Sequence, residues 1–240
     1  KNKNVEAIVI NFLHSYANPT HEIEAKKLII DNWPEIYCCT SSEVLSEYRE
    51  FERFSTTSIN ASLMPIMDRY LAEFENGVGN IGIKAKPRVL QSNGGAVSCQ
   101  AIRKMPVNTF NSGPAGGVIG SVNVAKKLKL DNLITFDMGG TSTDVCLILN
   151  GTPSKKNIRD IGGFPVRSRT IDVHNIGAGG GSIAWIDPGG LLKVGPRSSG
   201  AYPGPACYNR GGTLPTVTDA NLALGRLSSD VKLAGSVVLN

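Results

Sequence analysis

Ile134-Thr135-Phe136-Asp137-Met138-Gly139-Gly140-Thr141-Ser142-Thr143-Asp144-Val145 is the stretch that decides the fold. A short apolar run delivers a carboxylate to its end, two glycines let the backbone turn, and three hydroxyl residues precede a second carboxylate. The pattern predicts strands over 133–136 and 145–149, joined through 137–144 as an antiparallel hairpin. Two readings fit the joining segment. Glycine N–H groups without Cβ shielding, with the hydroxyls of Thr141, Ser142 and Thr143, suit phosphate oxygens. A carboxylate such as Asp137 then suits Mg²⁺, which takes oxygen ligands and keeps several waters. The other reading is an ordinary tight hairpin.

Upstream, the pattern changes character. Residues 5–13 read as a strand buried on both faces, too short and β-branched for a helix. Asn18-Pro19 has the form of a cap and first helical residue, which predicts a helix over 20–30. A strand near 36–40 follows. Then comes a helical region in which Leu63, Met67, Tyr70, Leu71 and Phe74 recur at helical spacing, with Pro65 as a start or kink. A strand over 88–91 ends in Asn93-Gly94-Gly95, and a helix is predicted over 114–128 because Val118, Val122 and Ala125 share a face. Strands alternating with helices argue an α/β class with parallel pairing. The restart as a hairpin at 131 places the expected domain boundary there, giving 1–130 and 131–240.

Three further glycine-rich strings stand around the hairpin. Glycine is 27 of 240 residues, about 11% against the usual ~7%, and 22 of the 27 fall between Gly94 and Gly212. In Asn111-Ser112-Gly113-Pro114-Ala115-Gly116-Gly117, Ser112 reads as a cap and Pro114 as the first helical residue. That helix start either offers free N–H groups to an anion or simply lets Gly116 and Gly117 pack closely. Gly177-Ala178-Gly179-Gly180-Gly181-Ser182 departs from the dinucleotide fingerprint at Ser182, and no Gly-Lys pair exists for a Walker loop. Such a run still lets a nucleotide lie against backbone. Just before it, alternation sets Asp172 and His174 on one strand face, where they either hold a divalent metal or are structural. Cys207, in the Pro203-Gly204-Pro205 loop, is either a nucleophile or an inert thiol.

Composition excludes several classes. Twenty-five Lys and Arg against twenty Asp and Glu give a net charge of +5, but the cations come in scattered pairs and aromatics are 6%, which argues against nucleic acid. No apolar run reaches the ~18 residues of a membrane span. Five cysteines without a C-x-x-C pair read as reduced thiols in a cytoplasmic protein. The metalloprotease H-E-x-x-H and hydrolase G-x-S-x-G patterns are absent. The chain opens on Lys1 directly before a strand-like run, as a piece of a longer protein would.

Taken together, the strings SEVLSEYREFERFSTTSINASLMPIMDRY (42–70), QSNGG (91–95), SGPAGG (112–117), FDMGGTSTDV (136–145), DVHNIGAGGGSIAWID (172–187) and VGPRSSGAYPGPACYNRGGTLPTVTDANLALGRL (194–227) resemble the hydantoinase A / 5-oxoprolinase family. They stand in the family's order and cover nearly the whole chain. The resemblance implies an actin-like ATPase architecture, in which two ribonuclease H-like lobes close on ATP. Each lobe normally brings an acidic, glycine-rich phosphate hairpin. The family's first hairpin is absent here, so 137–144 matches the second. By the same resemblance, Asp137 would hold Mg²⁺ through water, and Gly139, Gly140, Thr141, Ser142 and Thr143 would contact phosphate. Asp144 would orient a water or hold the turn. Gly116, Gly117, Gly179, Gly180, Gly181 and Ser182 would contact the nucleotide. The implied reaction is ATP-dependent hydrolysis of a cyclic amide through a phosphorylated carbonyl, with a partner subunit or further domain completing the substrate site. An acetone-type carboxylase subunit and a nucleotide-binding module without turnover are the alternatives, and little ATPase is expected from this chain alone.

Overall fold

The computed structural model describes residues 5–230, 232–233 and 235–240. The first elements are β1 (Ala7–Ile10), α1 (Thr20–Asn32), β2 (Tyr37–Thr40), α2 (Ser41–Val44) and the long α3 (Glu50–Asn80). Next come β3 (Arg88–Leu90), β4 (Ala96–Ser98), α4 (Cys99–Lys104) and α5 (Ser112–Leu128). The second half is mostly strand: β5 (Leu133–Met138), β6 (Thr143–Leu149), β7 (Thr152–Pro153), β8 (Lys155–Ile161) and β9 (Phe164–Ile171). It ends with β10 (His174–Ile176), β11 (Ser182–Ile186), β12 (Leu192–Ser198) and α6 (Val217–Ala223). The chain is therefore mixed α/β. It divides into two compact units, one of residues 1–120 and 155–172 and one of 121–154 and 173–240. Residue 131 falls inside the first segment of the second unit. Among the described residues, no helix is long and apolar enough to cross a membrane.

In the first unit β1 and β2 pair in parallel, Ala7 opposite Tyr37 and Ile10 opposite Thr40, with α1 between them in sequence. This is the pairing that the alternation predicts. The strand expected over 5–13 contracts to four residues, and only Ile10 is buried. With a single partner strand the chain leaves the sheet early, so Phe12 and Leu13 are exposed. Pro19 precedes α1 rather than opening it, while Asn18 Oδ1 accepts from the N–H and hydroxyl of Thr20. α3 starts fifteen residues before Pro65 and runs through it, so Pro65 is neither a start nor an end. The helix survives the lost backbone donor because its face is packed. Ala61 and Met64 meet Cys39, and Leu71 meets Cys99 and Ile102. The predicted stripe splits, since Tyr70 and Phe74 are exposed and stack on each other at 6.4 Å.

A buried carboxylate ties the loop after β1 to α2. Glu22 Oε1 accepts the Phe12 N–H (2.8 Å) and the Ser41 hydroxyl (2.6 Å), and Oε2 accepts the Ser42 N–H (2.9 Å). Burial alone would raise its pKa, but these hydrogen bonds to the charged form outweigh it and leave the carboxyl below its ordinary 4.5. Arg53, also buried, donates to the carbonyls of Glu47 (2.5 Å) and Phe12 (3.2 Å) and lies over the rings of Tyr16 and Phe54.

In the second unit β6 is central, with the order β10-β6-β5 and every pair antiparallel. The hairpin predicted at 131 is present, with longer strands. Asp137 and Met138 remain in the ladder opposite Asp144 and Thr143, which leaves a four-residue tip, 139–142. Cys146 and Ile148 on one sheet face are buried, while Ile134 and Phe136 on the other are 67% and 68% exposed. In α5, Val118, Val122 and Ala125 are buried as the spacing predicts.

Candidate functional site

The hairpin tip is built on a row of polar side chains. Asp137 stands opposite Asp144 across β5 and β6, and Asn175 stands opposite Asp144 across β6 and β10. Residues directly opposite in an antiparallel pair share a face, with Cβ atoms roughly 5 Å apart. Two carboxylates so placed repel each other unless something cationic lies between or near them. One is partly restrained, because the Asn175 side-chain amide donates to Asp144 Oδ1 at 3.0 Å. Asp137 is exposed. Asn175 had no sequence signal of its own, since its role depends on strand pairing.

At the tip the Gly139 N–H donates to the Ser142 carbonyl at 2.9 Å. Among the described residues, the N–H groups of Gly140, Thr141 and Ser142 and the hydroxyls of Thr141 and Ser142 have no protein partner. Consecutive unpartnered amides at a turn form an anion-binding concavity. Thr143 is different. It is 3% exposed and its hydroxyl donates to the Ala178 carbonyl at 2.5 Å. The Thr143 hydroxyl, expected at phosphate, is thus engaged within the protein, where it braces the base of the hairpin.

The glycine run approaches the hairpin, but with its own donors spent on it. The Gly180 N–H donates to the Gly139 carbonyl (2.9 Å) and the Gly181 N–H to the Gly140 carbonyl (2.7 Å). Ser182, fully buried, accepts from the Gly179 N–H at 2.8 Å and returns its own N–H to the Gly179 carbonyl. A Cβ at Gly179 would lie 2.7 Å from three backbone atoms of the tip, and one at Gly181 would lie 3.0 Å from the Gly140 carbonyl. The glycines at 179 and 181 are therefore required by backbone-on-backbone packing. The amides of Gly180 and Gly181 are thus spent on the tip, and residues 179–182, expected as nucleotide contacts, buttress it.

Two residues missed in the sequence hold this buttress from behind. Thr218 donates both its N–H and its hydroxyl to the Gly180 carbonyl, each at 2.8 Å. Asp219 accepts from the N–H groups of Cys207 (2.7 Å) and Thr216 (2.7 Å) and the Thr216 hydroxyl (2.8 Å), closing a capping box at the start of α6. Burial would raise the Asp219 pKa, yet these bonds hold it below the ordinary carboxylate range. The T-x-x-D spacing at 216–219 was the available signal. Asp219 also bears on Cys207, which is buried and whose thiol is pushed up to about 12 by that burial and then by the Asp219 carboxylate. A thiol so protonated is inert.

Gly116, Gly117, Asp172 and His174 are the remaining candidates. Gly116 and Gly117 belong to the first unit. α5 begins at Ser112 itself, so Ser112 is no cap and Pro114 is its third residue. A Cβ at Gly116 would meet Leu90 Cδ1 at 2.8 Å, which is the close-packing reading of that glycine. Asp172 and His174 do not share a strand. β9 ends at Ile171 and β10 begins at His174, while the Asp172 carboxylate pairs with the Lys156 ammonium at 2.7 Å. Among the described residues, no three His, Cys, Asp or Glu side chains gather as a metal site. Two carboxylates suffice for Mg²⁺ when phosphates and waters complete its shell.

The crystal structure of ATP-dependent caprolactamase from Pseudomonas jessenii matches with a TM-score of 0.84 at 42% identity, covering 98% of this chain and 34% of that one. A nucleotide-free acetone carboxylase structure matches with a TM-score of 0.78 at 32% identity, again over 98% of this chain and 34% of that one. The 5-oxoprolinase of Saccharomyces cerevisiae is 38% identical over 228 residues, which is 93% of this chain and 17% of that protein. The chain thus spans about a third of the length of the first relatives it matches. The hydantoinase/oxoprolinase family model matches residues 53–236, well over half of the 240, and the chain belongs to that family.

Proposed function

We propose that this chain carries a phosphate-binding hairpin of an ATP-dependent enzyme that acts on cyclic amides. The observation that carries the reading is the unpartnered tip, Gly140, Thr141 and Ser142, at the end of strands that set Asp137 opposite Asp144. The tip amides and hydroxyls would take phosphate oxygens, and Asp137 would hold Mg²⁺ through water. Asp144, restrained by Asn175, would orient a water of that shell. When bound, Mg-ATP supplies a phosphoryl group that converts an amide carbonyl oxygen into a leaving group, with its charge neutralised by the cation and the tip. Asp172 and His174 are the poorer place for a cation, since Asp172 already pairs with Lys156.

The same reading assigns an actin-like arrangement, with 1–130 completing one ribonuclease H-like lobe and 131–240 beginning the second. A longer polypeptide and a partner subunit would complete the substrate site, as the subunit names of the relatives suggest. A cytoplasmic setting belongs to this reading, and five buried cysteines that form no disulfide among the described residues support it. The carboxylase alternative is favoured less, because the caprolactamase exceeds the acetone carboxylase in both identity and TM-score.

The test is ADP release by the complete polypeptide and its partner, offered caprolactam, 5-oxoproline, hydantoin, or acetone with bicarbonate. Lactam-dependent release that Asp137→Asn lowers at least about 100-fold is expected, given the several kcal/mol that such electrostatic groups contribute. Release only with acetone and bicarbonate would replace this reading by the carboxylase. The 240-residue chain alone should turn over no ATP, and turnover equal to that of the complete polypeptide would contradict its incompleteness.

A further inference from the structure

We infer that Thr218 is a positioning residue that holds and polarises the phosphate-binding amide of Thr141 through a relay of two peptide groups. The inference rests on the nucleotide reading of the tip and extends it to the start of α6, some eighty residues away in sequence.

The relay follows from which atoms share a peptide plane. The Gly180 carbonyl accepts twice from Thr218, from its N–H and its hydroxyl. That carbonyl and the Gly181 N–H belong to one peptide group, and the Gly181 N–H donates to the Gly140 carbonyl at 2.7 Å. The Gly140 carbonyl in turn shares its peptide with the Thr141 N–H, which has no protein partner among the described residues. Electron density drawn toward Thr218 leaves the Gly181 N–H a stronger donor, and the same effect passes through the next peptide to the Thr141 N–H. Hydrogen bonds in series strengthen one another in this way. The relay also fixes the tip in space. The Gly180 N–H bonds the Gly139 carbonyl alongside it, so two adjacent tip peptides are pinned by one segment, and that segment is pinned by Thr218. There is no slack, since a Cβ at Gly180 would stand 2.9 Å from Thr218 Oγ1.

Thr218 touches no ligand in this scheme, so its loss should weaken nucleotide binding without removing a contact. Thr218→Val keeps the shape and the N–H but deletes the hydroxyl, and Thr218→Ser restores it. The experiment is calorimetric titration of the complete polypeptide with adenylyl imidodiphosphate and Mg²⁺, with deuterium uptake of the bonded Gly180 and Gly181 amides measured in parallel. The expected result is a five- to tenfold weaker Kd for the valine variant, about the worth of one hydrogen bond. Faster exchange at those two amides should accompany it, with the serine variant within about twofold of the parent. If the valine protein does not fold, Thr218→Cys, similar in shape but a weak donor, should show the same direction. Unchanged affinity and exchange in the valine variant, beside a parent that binds, overturns the relay and leaves the nucleotide reading standing. A parent that does not bind the analogue overturns the nucleotide reading, and the inference falls with it.

Discussion

The loop after β1 and the tip between β5 and β6 solve one problem in opposite ways. Each must satisfy backbone groups where the chain leaves a sheet. In the first unit charged side chains do this: Glu22 collects the N–H groups of Phe12 and Ser42, and Arg53 caps the carbonyls of Glu47 and Phe12. In the second unit backbone does it, the 179–181 run bonding the Gly139 and Gly140 carbonyls. The first solution ties those backbone groups to buried charged side chains. The second consumes the Gly139 and Gly140 carbonyls and leaves the N–H groups of Gly140, Thr141 and Ser142 without a protein partner among the described residues, so it is the one suited to an anion. A glycine run is needed because side chains would hold the two backbones apart.

Substitution at the buttress should break this contrast most severely. Gly179→Val places atoms where three tip backbone atoms already stand, and overpacking of this kind costs about 3 kcal/mol. The two tryptophans fall one in each unit, Trp33 in the first and Trp185 in the second. Urea unfolding followed at Trp185 should therefore shift strongly. An unshifted midpoint would show that the run is not packed against the tip.

Glu22→Gln should come next, at about 2 kcal/mol, because hydrogen bonds to a buried charge are lost or weakened. The pH dependence sharpens the same point. The carboxyl lies below its ordinary 4.5 in the folded state, so its stabilisation is complete above the unfolded value and fades as pH falls through the folded one. Stability read at Trp33 should thus decline on acidification below about pH 4.5. The glutamine variant should lack that part of the decline, and parallel curves for the two would refute the assignment.

The smallest effect should come from a glycine that neither region needs. Gly120 is exposed within α5, and a Cβ there meets nothing within 4 Å. Gly120→Ala should raise stability by about 0.5–1 kcal/mol, through helix propensity and a less flexible unfolded chain. A loss measured by thermal unfolding would contradict the open space around Gly120.

Much of the fold was legible because periodicity is local. The 118/122/125 face of α5, the parallel strands around α1 and the 131 hairpin all follow from residues within one element or its neighbour. Pro65 does not start α3, because packing of Ala61 and Met64 against Cys39 and of Leu71 against Cys99 and Ile102 outweighs one missing backbone donor. Asp172 and His174 misled because alternation assumes an unbroken strand, and the strand is interrupted between them. Thr143 and the glycine run were read as ligand contacts because composition cannot say toward what a donor turns. That direction depends on Ala178, thirty-five residues away, and on the tip carbonyls.

The sequence by itself determined the hairpin, its carboxylates and its glycines, because turn chemistry and strand pattern are properties of adjacent residues. Only the tertiary structure decided which amides stay free. That outcome depends on which carbonyls the 179–181 run, Thr143 and Thr218 reach once segments distant in sequence pack together, and hydrogen bonds act only over about 3 Å.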